Sequence, residues 1–305
     1  MNPDNKEVTT HSGMVAIVGR PNVGKSTLLN HLIEQKISIT SRKPQTTRHQ
    51  IMGVDTRDGY QIIFVDTPGL HKKEARAINR YMNRAAYSAL AGIDAVVFVV
   101  DGMQWTDDDD LVLEKLRSSS CPTVLAINKI DKFREKEKLL PYIEQVSKKM
   151  NFDAIFPLSA LRNINVKELR QKLQGYLPNG DFIVSEDYLT DKSERFLTAE
   201  IIREKIMRTM GDELPYSMTV SIERFKPNLR GVVEINAVVY VERSGQKRIL
   251  IGSQGKKLKQ IGKAAREDIE ILLDNKVFLE IWVKIKSGWA DDERTLRNLG
   301  YDSET

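Results

Sequence analysis

The chain has 305 residues, 41% hydrophobic and 29% charged, with 47 Lys and Arg against 42 Asp and Glu, a formal net charge of +5. This length predicts two domains, and the single cysteine, Cys121, excludes an internal disulfide framework and fits a reducing compartment. Asn2 to Gly13 has no signal-peptide core and no run approaches the roughly 20 apolar residues that cross a bilayer, so a globular, cytoplasmic chain is expected.

A flexible start is expected over residues 1–12, followed by the apolar run Met14 to Val18 and then by Gly19-Arg20-Pro21-Asn22-Val23-Gly24-Lys25-Ser26, with Thr27 opening the helical pattern Leu28, Leu29, Leu32, Ile33. This is a phosphate-binding loop between a buried strand and a helix. Its glycines let backbone N–H groups converge, and the helix dipole points to the same place. Lys25 would reach the β- and γ-phosphates, and the Ser26 hydroxyl would ligate Mg²⁺, a hard cation that prefers oxygen. The bland reading, a Gly-rich turn, does not need the Lys-Ser pair.

Lys43-Pro44-Gln45-Thr46-Thr47-Arg48-His49 reads as a polar loop over the phosphates. A threonine hydroxyl here would complete the Mg²⁺ shell only when a γ-phosphate is present, giving a nucleotide-dependent switch; Thr47 is the candidate, with Thr46 the alternative and a solvated turn the bland reading. Ile51 to Val54 and Ile62 to Val65 flank Arg57-Asp58-Gly59 as a hairpin, which ends at Asp66-Thr67-Pro68-Gly69-Leu70. Asp66 stands where the outer partner of Mg²⁺ belongs, and the Gly69 N–H is placed for the γ-phosphate. Lys25, Thr47 and Gly69 are thus the candidates for catalysis.

The buried strand Ala95 to Val100 is followed by Asp107 to Asp110, four acids at a helix start that read as solvated dipole partners rather than as metal ligands. Thr123 to Ile127 ends in Asn128-Lys129-Ile130-Asp131, which selects the base. The Asp131 carboxylate accepts two parallel hydrogen bonds from guanine, Asn128 braces the loops and Lys129 lies over the ring. Ala154 to Leu158 leads to Ser159-Ala160, whose backbone would meet guanine O6. A helix over Val166 to Leu177 closes an α/β, doubly wound domain over residues 13–180.

Residues 181–195 read as a linker. Phe196, Ala199, Ile202, Ile206 and Met210 mark an amphipathic helix, and Met218 to Phe225 and Val232 to Val241 a strand pair. Gly252-Ser253-Gln254-Gly255-Lys256-Lys257 then lies between two helical patterns, with Val277 to Ile285 a final strand. Arg243, Lys247, Arg248, Lys256, Lys257, Lys259 and Lys263 face the single acid Glu242, a cluster that suits a polyanionic partner.

The order α-β-β-α-α-β, with GxxG between its inner helices, resembles a type II KH domain, an α+β RNA-binding fold, over residues 196–287; residues 288–305 form a tail or helix. In such domains the GxxG loop clamps nucleotide backbone, which the resemblance assigns to Gly252, Ser253, Gln254, Gly255, Lys256 and Lys257. The motifs GRPNVGKS, QTTRH, DTPGL, NKID and LSA resemble, in order and spacing, the translation-factor-class P-loop GTPases of the group containing Era, MnmE and Der. That likeness implies GTP/GDP and Mg²⁺ as ligands and slow hydrolysis, because Leu70 stands where many GTPases carry a water-orienting glutamine. Asn22 matches the asparagine with which relatives hold K⁺. SGWADDER and the preceding KVFLEIWVKIK resemble the C-terminal signature of the Era branch, so the likeness covers essentially the whole chain. It implies binding to the 3′ end of 16S ribosomal RNA, assistance to assembly of the small (30S) subunit, and some peripheral association with the inner membrane. Leu258 replaces the expected KH isoleucine, and a monomer is assumed. Trp289 is a base-stacking candidate, although a packing anchor is the commoner role. The competing readings are a passive RNA-binding module with a structural nucleotide domain and a membrane-surface GTPase. A tRNA-modifying role lacks its C-terminal cysteine motif.

Overall fold

The computed structural model describes residues 9–69, 76–133, 137, 139–211, 217–299 and 301. Leu70, the first eight residues, and residues 300 and 302–305 of the expected tail lie outside the described residues. The chain forms two compact units. One comprises 9–37, 48–69 and 83–191, the other 38–47, 76–82 and 192–301.

The first unit holds β1 (His11–Val18), α1 (Lys25–Leu32), β2 (Ile51–Arg57), β3 (Tyr60–Asp66), β4 (Ala95–Asp101), α3 (Asp107–Arg117), β5 (Thr123–Asn128), α4 (Leu139–Ser147), β6 (Ala154–Pro157) and α5 (Val166–Gln174); the division falls inside α2 (Ala77–Ser88), after Met82. Six strands form one sheet in the order β2-β3-β1-β4-β5-β6, all parallel except β2, which returns on β3 as the expected hairpin. Asp58 and Gly59 both take positive φ, which suits the right-handed twist of the two strands. β4 and β5 are buried along their whole length, so they read as unbroken apolar runs rather than alternating ones. Phe98, Val100, Leu125 and Ile127 pack under Val112, Leu113 and Leu116 of α3 and Val146 of α4, while α1 meets β1, β3 and α5. β1 sits between β3 and β4, where strand order reverses, and such a point opens a crevice at the carboxyl ends.

Residues 181–191, expected as linker, run along the edge strand β2. The Val54 N–H donates to Leu189 O at 2.8 Å, the Met52 N–H donates to the Asp191 carboxylate at 2.9 Å, and buried Gln61 bonds the backbone of Ile183 and Val184. An edge strand's unpaired backbone groups supply the reason.

The second unit contains α6 (Glu194–Thr209), β7 (Met218–Pro227), β8 (Val233–Val241), α7 (Ser244–Ile251), α8 (Lys256–Leu273), β9 (Val277–Ile285) and α9 (Glu293–Asn298). Its order α-β-β-α-α-β is the one expected. The sheet β7-β8-β9 is antiparallel on one side and parallel on the other, and Ile202, Ile206, Ile261, Ala265 and Ile269 cover one face. The same core takes in Ile39, 3% exposed. Residues 38–47 are fastened to α6 by buried charge: Glu204 accepts the Thr40 N–H at 2.8 Å, and Arg203, ion-paired to Glu200 at 2.6 Å, donates to Thr46 O. Burial alone would lower the Arg203 pKa; the Glu200 carboxylate outweighs it and raises the value.

Trp289 is 1% exposed and packs with Ile78, Met82, Leu296 and Tyr301, its indole N–H donating to Ser217 O at 3.3 Å. It is therefore an anchor, not a stacking platform, and it draws part of the expected tail into a core.

Candidate nucleotide site and GxxG loop

The phosphate loop follows β1 and ends in α1. Gly19 and Gly24 both have positive φ, 150° and 103°. A Cβ on Gly19 would lie 2.3 Å from Val99 O, and one on Gly24 2.3 Å from the Asn128 amide, so only glycine fits either place. Lys25 lies buried across the loop, its Nζ donating to Gly19 O at 2.9 Å and to Arg20 O at 3.0 Å. Burial lowers its pKa to about 8, opposed by the charge of Asp66. The Ser26 hydroxyl donates to the Asp66 carboxylate at 2.6 Å, and Asp66 is fully buried at the end of β3. A hydroxyl beside a carboxylate is an all-oxygen donor pair suited to Mg²⁺. The buried Thr67 hydroxyl ties the next residue to Ile17 O at 3.0 Å, and Gly69 passes so close to Pro21 that a Cβ would lie 2.6 Å from its nitrogen.

Asn128 joins the phosphate loop to the base motif. Its Nδ2 donates to Val23 O at 2.7 Å, while its Oδ1 accepts the Ala160 N–H at 2.9 Å and the Lys129 N–H at 2.7 Å. The Ser159 N–H pairs with Ile164 O at 3.1 Å, so both N–H groups expected over guanine already have protein acceptors. Lys129 donates to Asn22 O at 2.6 Å and to Asp101 at 2.7 Å. Burial pushes the Asp101 carboxyl up, but Lys129 and the Met103 N–H more than reverse this, so it lies below the usual range. Asp131 is exposed and held by the Ser159 hydroxyl, open for a base edge.

The expectation of a solvated start for Asp107 to Asp110 fails at Asp109. Its side chain is fully buried, accepting from the Thr106 N–H at 2.8 Å, the Thr106 hydroxyl at 3.0 Å and Arg20 Nε at 2.9 Å. Four adjacent acids look alike in sequence; only the one turned inward meets the phosphate loop. Asp109 and Asp101 are the residues that motif reading missed. The unequal fate of the acids follows from helix phase, since α3 buries Val112, Leu113 and Leu116 on the same side.

In the second unit, Thr46 donates its hydroxyl to Lys43 O at 2.6 Å and meets Ser41 Oγ at 2.7 Å, and Thr47 is buried. The GxxG loop joins α7 to α8. Gly252 has φ 71°, and a Cβ there would lie 2.6 Å from that of Lys257; Gly255 has φ 72° and open space beside it. Gln254 also turns left-handed at φ 50°, and Ser253, Gln254 and Lys256 are exposed. Backbone left open beside lysine charge suits a phosphodiester chain.

Residues 14–129 match the family model of the 50S ribosome-binding GTPases, and residues 213–290 that of the KH domain. The chain is 58% identical over 304 residues to the GTPase Era of Actinobacillus pleuropneumoniae serotype 5b, covering 100% of both. It is 60% identical over 295 residues to that of Glaesserella parasuis serovar 5, covering 97% of this chain and 98% of the relative. Among solved structures it is similar to a single-residue variant of Aquifex aeolicus Era bound to GDP and AlF₄⁻, at 38% identity and a TM-score of 0.92, covering 96% of this chain and 99% of that one. The same identity, coverage and TM-score hold for Era in complex with MgGDPNP and nucleotides 1506–1542 of 16S ribosomal RNA.

Proposed function

The chain belongs to the Era family of GTPases, and on that footing we propose that its GTP cycle times the capture and release of the 3′ end of 16S ribosomal RNA during small-subunit assembly. The observation that carries this reading is Asn128, which fastens the phosphate loop at Val23 to the guanine motif and so makes one site for a whole guanine nucleotide.

Hydrolysis converts GTP and water into GDP and phosphate. Backbone N–H groups of the loop 19–26, Pro21 excepted because it has none, and the Lys25 ammonium stabilise charge on the β- and γ-phosphate oxygens as the bond to the leaving GDP lengthens. Ser26, with Asp66 behind it and Thr47 in the GTP state, would hold Mg²⁺, which would supply further charge neutralisation. Thr47 is the candidate for this place, with Thr46 the alternative. Gly69 offers its N–H to the γ-phosphate, and Leu70 has no group to orient water, which keeps the intrinsic rate slow. Asn22 would hold a K⁺ ion, which would add positive charge; equal rates in K⁺ and Na⁺ would remove that part. Asp131 reads guanine, with Lys129 over the ring. Gly252 to Lys257 take the RNA backbone.

No helix among the described residues is long and apolar enough to cross a membrane. A cytoplasmic monomer with peripheral contact at the inner membrane completes the proposal. The test is crosslinking of the chain to total RNA with a non-hydrolysable GTP analogue or with GDP. Enrichment of the 16S 3′ end only with the analogue is expected; equal enrichment in both states refutes the timing role, and none refutes the ribosomal target.

A further inference from the structure

We propose that Asp109 is a positioning residue for nucleotide binding, holding the phosphate loop in its binding shape through Arg20. The inference rests on the reading of residues 19–26 as a phosphate site. The Arg20 side chain reaches the start of α3, where Nε donates to Asp109 at 2.9 Å; the two side chains are 12% and 0% exposed. The carbonyl of the same residue accepts from Lys25 Nζ at 3.0 Å. Arg20 is thus fixed at one end by Asp109 and fixes the phosphate-binding lysine at the other.

A helix cap alone would not need this arrangement. Capping side chains work well at a solvated helix end, where unused oxygens face water. Asp109 instead has one oxygen, Oδ1, buried with no hydrogen-bond partner, while Oδ2 takes Thr106 and Arg20 together. Burial raises the carboxyl pKa, against which Arg20 keeps the charge. A buried carboxylate persists where it has a cation to hold, and that cation is part of the phosphate loop.

A second point of the loop, Asn22, two residues beyond Arg20, is braced from the same connection. Asp101 holds Lys129, which donates to Asn22 O at 2.6 Å, and the Met103 N–H donates back to Asp101 at 3.0 Å. Residues 101–109 therefore hold the phosphate loop at Arg20 directly and at Asn22 by way of Lys129. Anchored at both points, the backbone N–H groups need not reorganise when phosphate arrives, and preorganisation of this kind appears as affinity rather than as turnover.

The test titrates GDP and GTP into the full chain for wild type, Asp109→Asn, Arg20→Gln, the double variant and Thr106→Ala, with Tm and steady-state hydrolysis alongside. Each charge-pair single variant is expected to weaken both nucleotides about tenfold and raise KM, and in Asp109→Asn kcat at saturating GTP stays within about twofold. The double variant should bind no worse than either single, because both remove the same pair. Thr106→Ala removes a cap partner and leaves the pair, so it lowers Tm without changing Kd. Wild-type affinity in Arg20→Gln, or losses that multiply in the double variant, overturn the proposal. Arg20→Gln leaves the α3 cap intact and decides the matter even if Asp109→Asn fails to fold. Failure of wild type itself to bind GTP would refute the functional reading instead.

Discussion

Lys25 is a basic group buried among its own loop's carbonyls, and its chemistry is set by that burial more than by any neighbour. Desolvation brings its pKa to about 8 although Asp66 pulls the other way. In the role proposed for Lys25, nucleotide phosphates require the ammonium and hold its pKa higher in the complex. Below pH 8 the free protein already carries the proton and binding is at full strength; as pH rises through 8 the free state loses it first, and affinity falls. Titration of GDP from pH 7 to pH 9 should show Kd rising, with a slope approaching tenfold per unit above the midpoint. A flat profile would mean that Lys25 stays charged when buried.

Among the elements, the segment after β9 departs most from its sequence appearance. SGWADDER is short, polar and near the end of the chain, yet Trp289 and Ala290 are almost fully buried and the Ile78 N–H donates to Ala290 O at 3.1 Å. Trp289→Ala should therefore cost about 3–5 kcal/mol of second-unit stability, as deletion of a buried aromatic does. Chemical denaturation followed by the exchange protection of α9 measures it, and a loss under about 1 kcal/mol would return the segment to the status of a loose tail. α6 shows the same economy on its polar side. Glu200, Arg203, Glu204 and Arg208 lie within nine residues, and all of them serve the loop 38–47 or one another.

For the molecule taken entire, residues 38–47 belong to the second unit although both flanking segments belong to the first. Ile39 shares a core with Ile235 and Ile206, so the order of the Thr46–Thr47 loop is linked to the stability of the RNA-binding unit. Ile235→Ala should raise amide exchange at Ile39 and Thr40 together with α6, in the full chain, while β1 and β5 keep their protection. Exchange at Ile39 that stays with β1 would show that the loop follows the nucleotide unit instead.

Whatever contiguous residues build from their own backbone was legible before any fold was known. A strand, a glycine-permitted turn and a helix dipole make the loop of residues 19–26 wherever that string folds, and the same holds for Gly252 to Gly255 between α7 and α8 and for the turn at Asp58-Gly59. Element order and the parallel sheet were legible for a related reason, because unbroken apolar runs can be satisfied only by burial on both faces. Pairings between distant charges were not legible and came with the packing: Arg20 with Asp109, 89 residues apart, and Arg203 with Thr46, 157 residues apart. Neither has a periodicity or a spacing to announce it. One aspartate among four, or one arginine on a helix rich in charge, acquires its partner only when packing removes water from around it, since an exposed pair contributes little and a buried one must be matched.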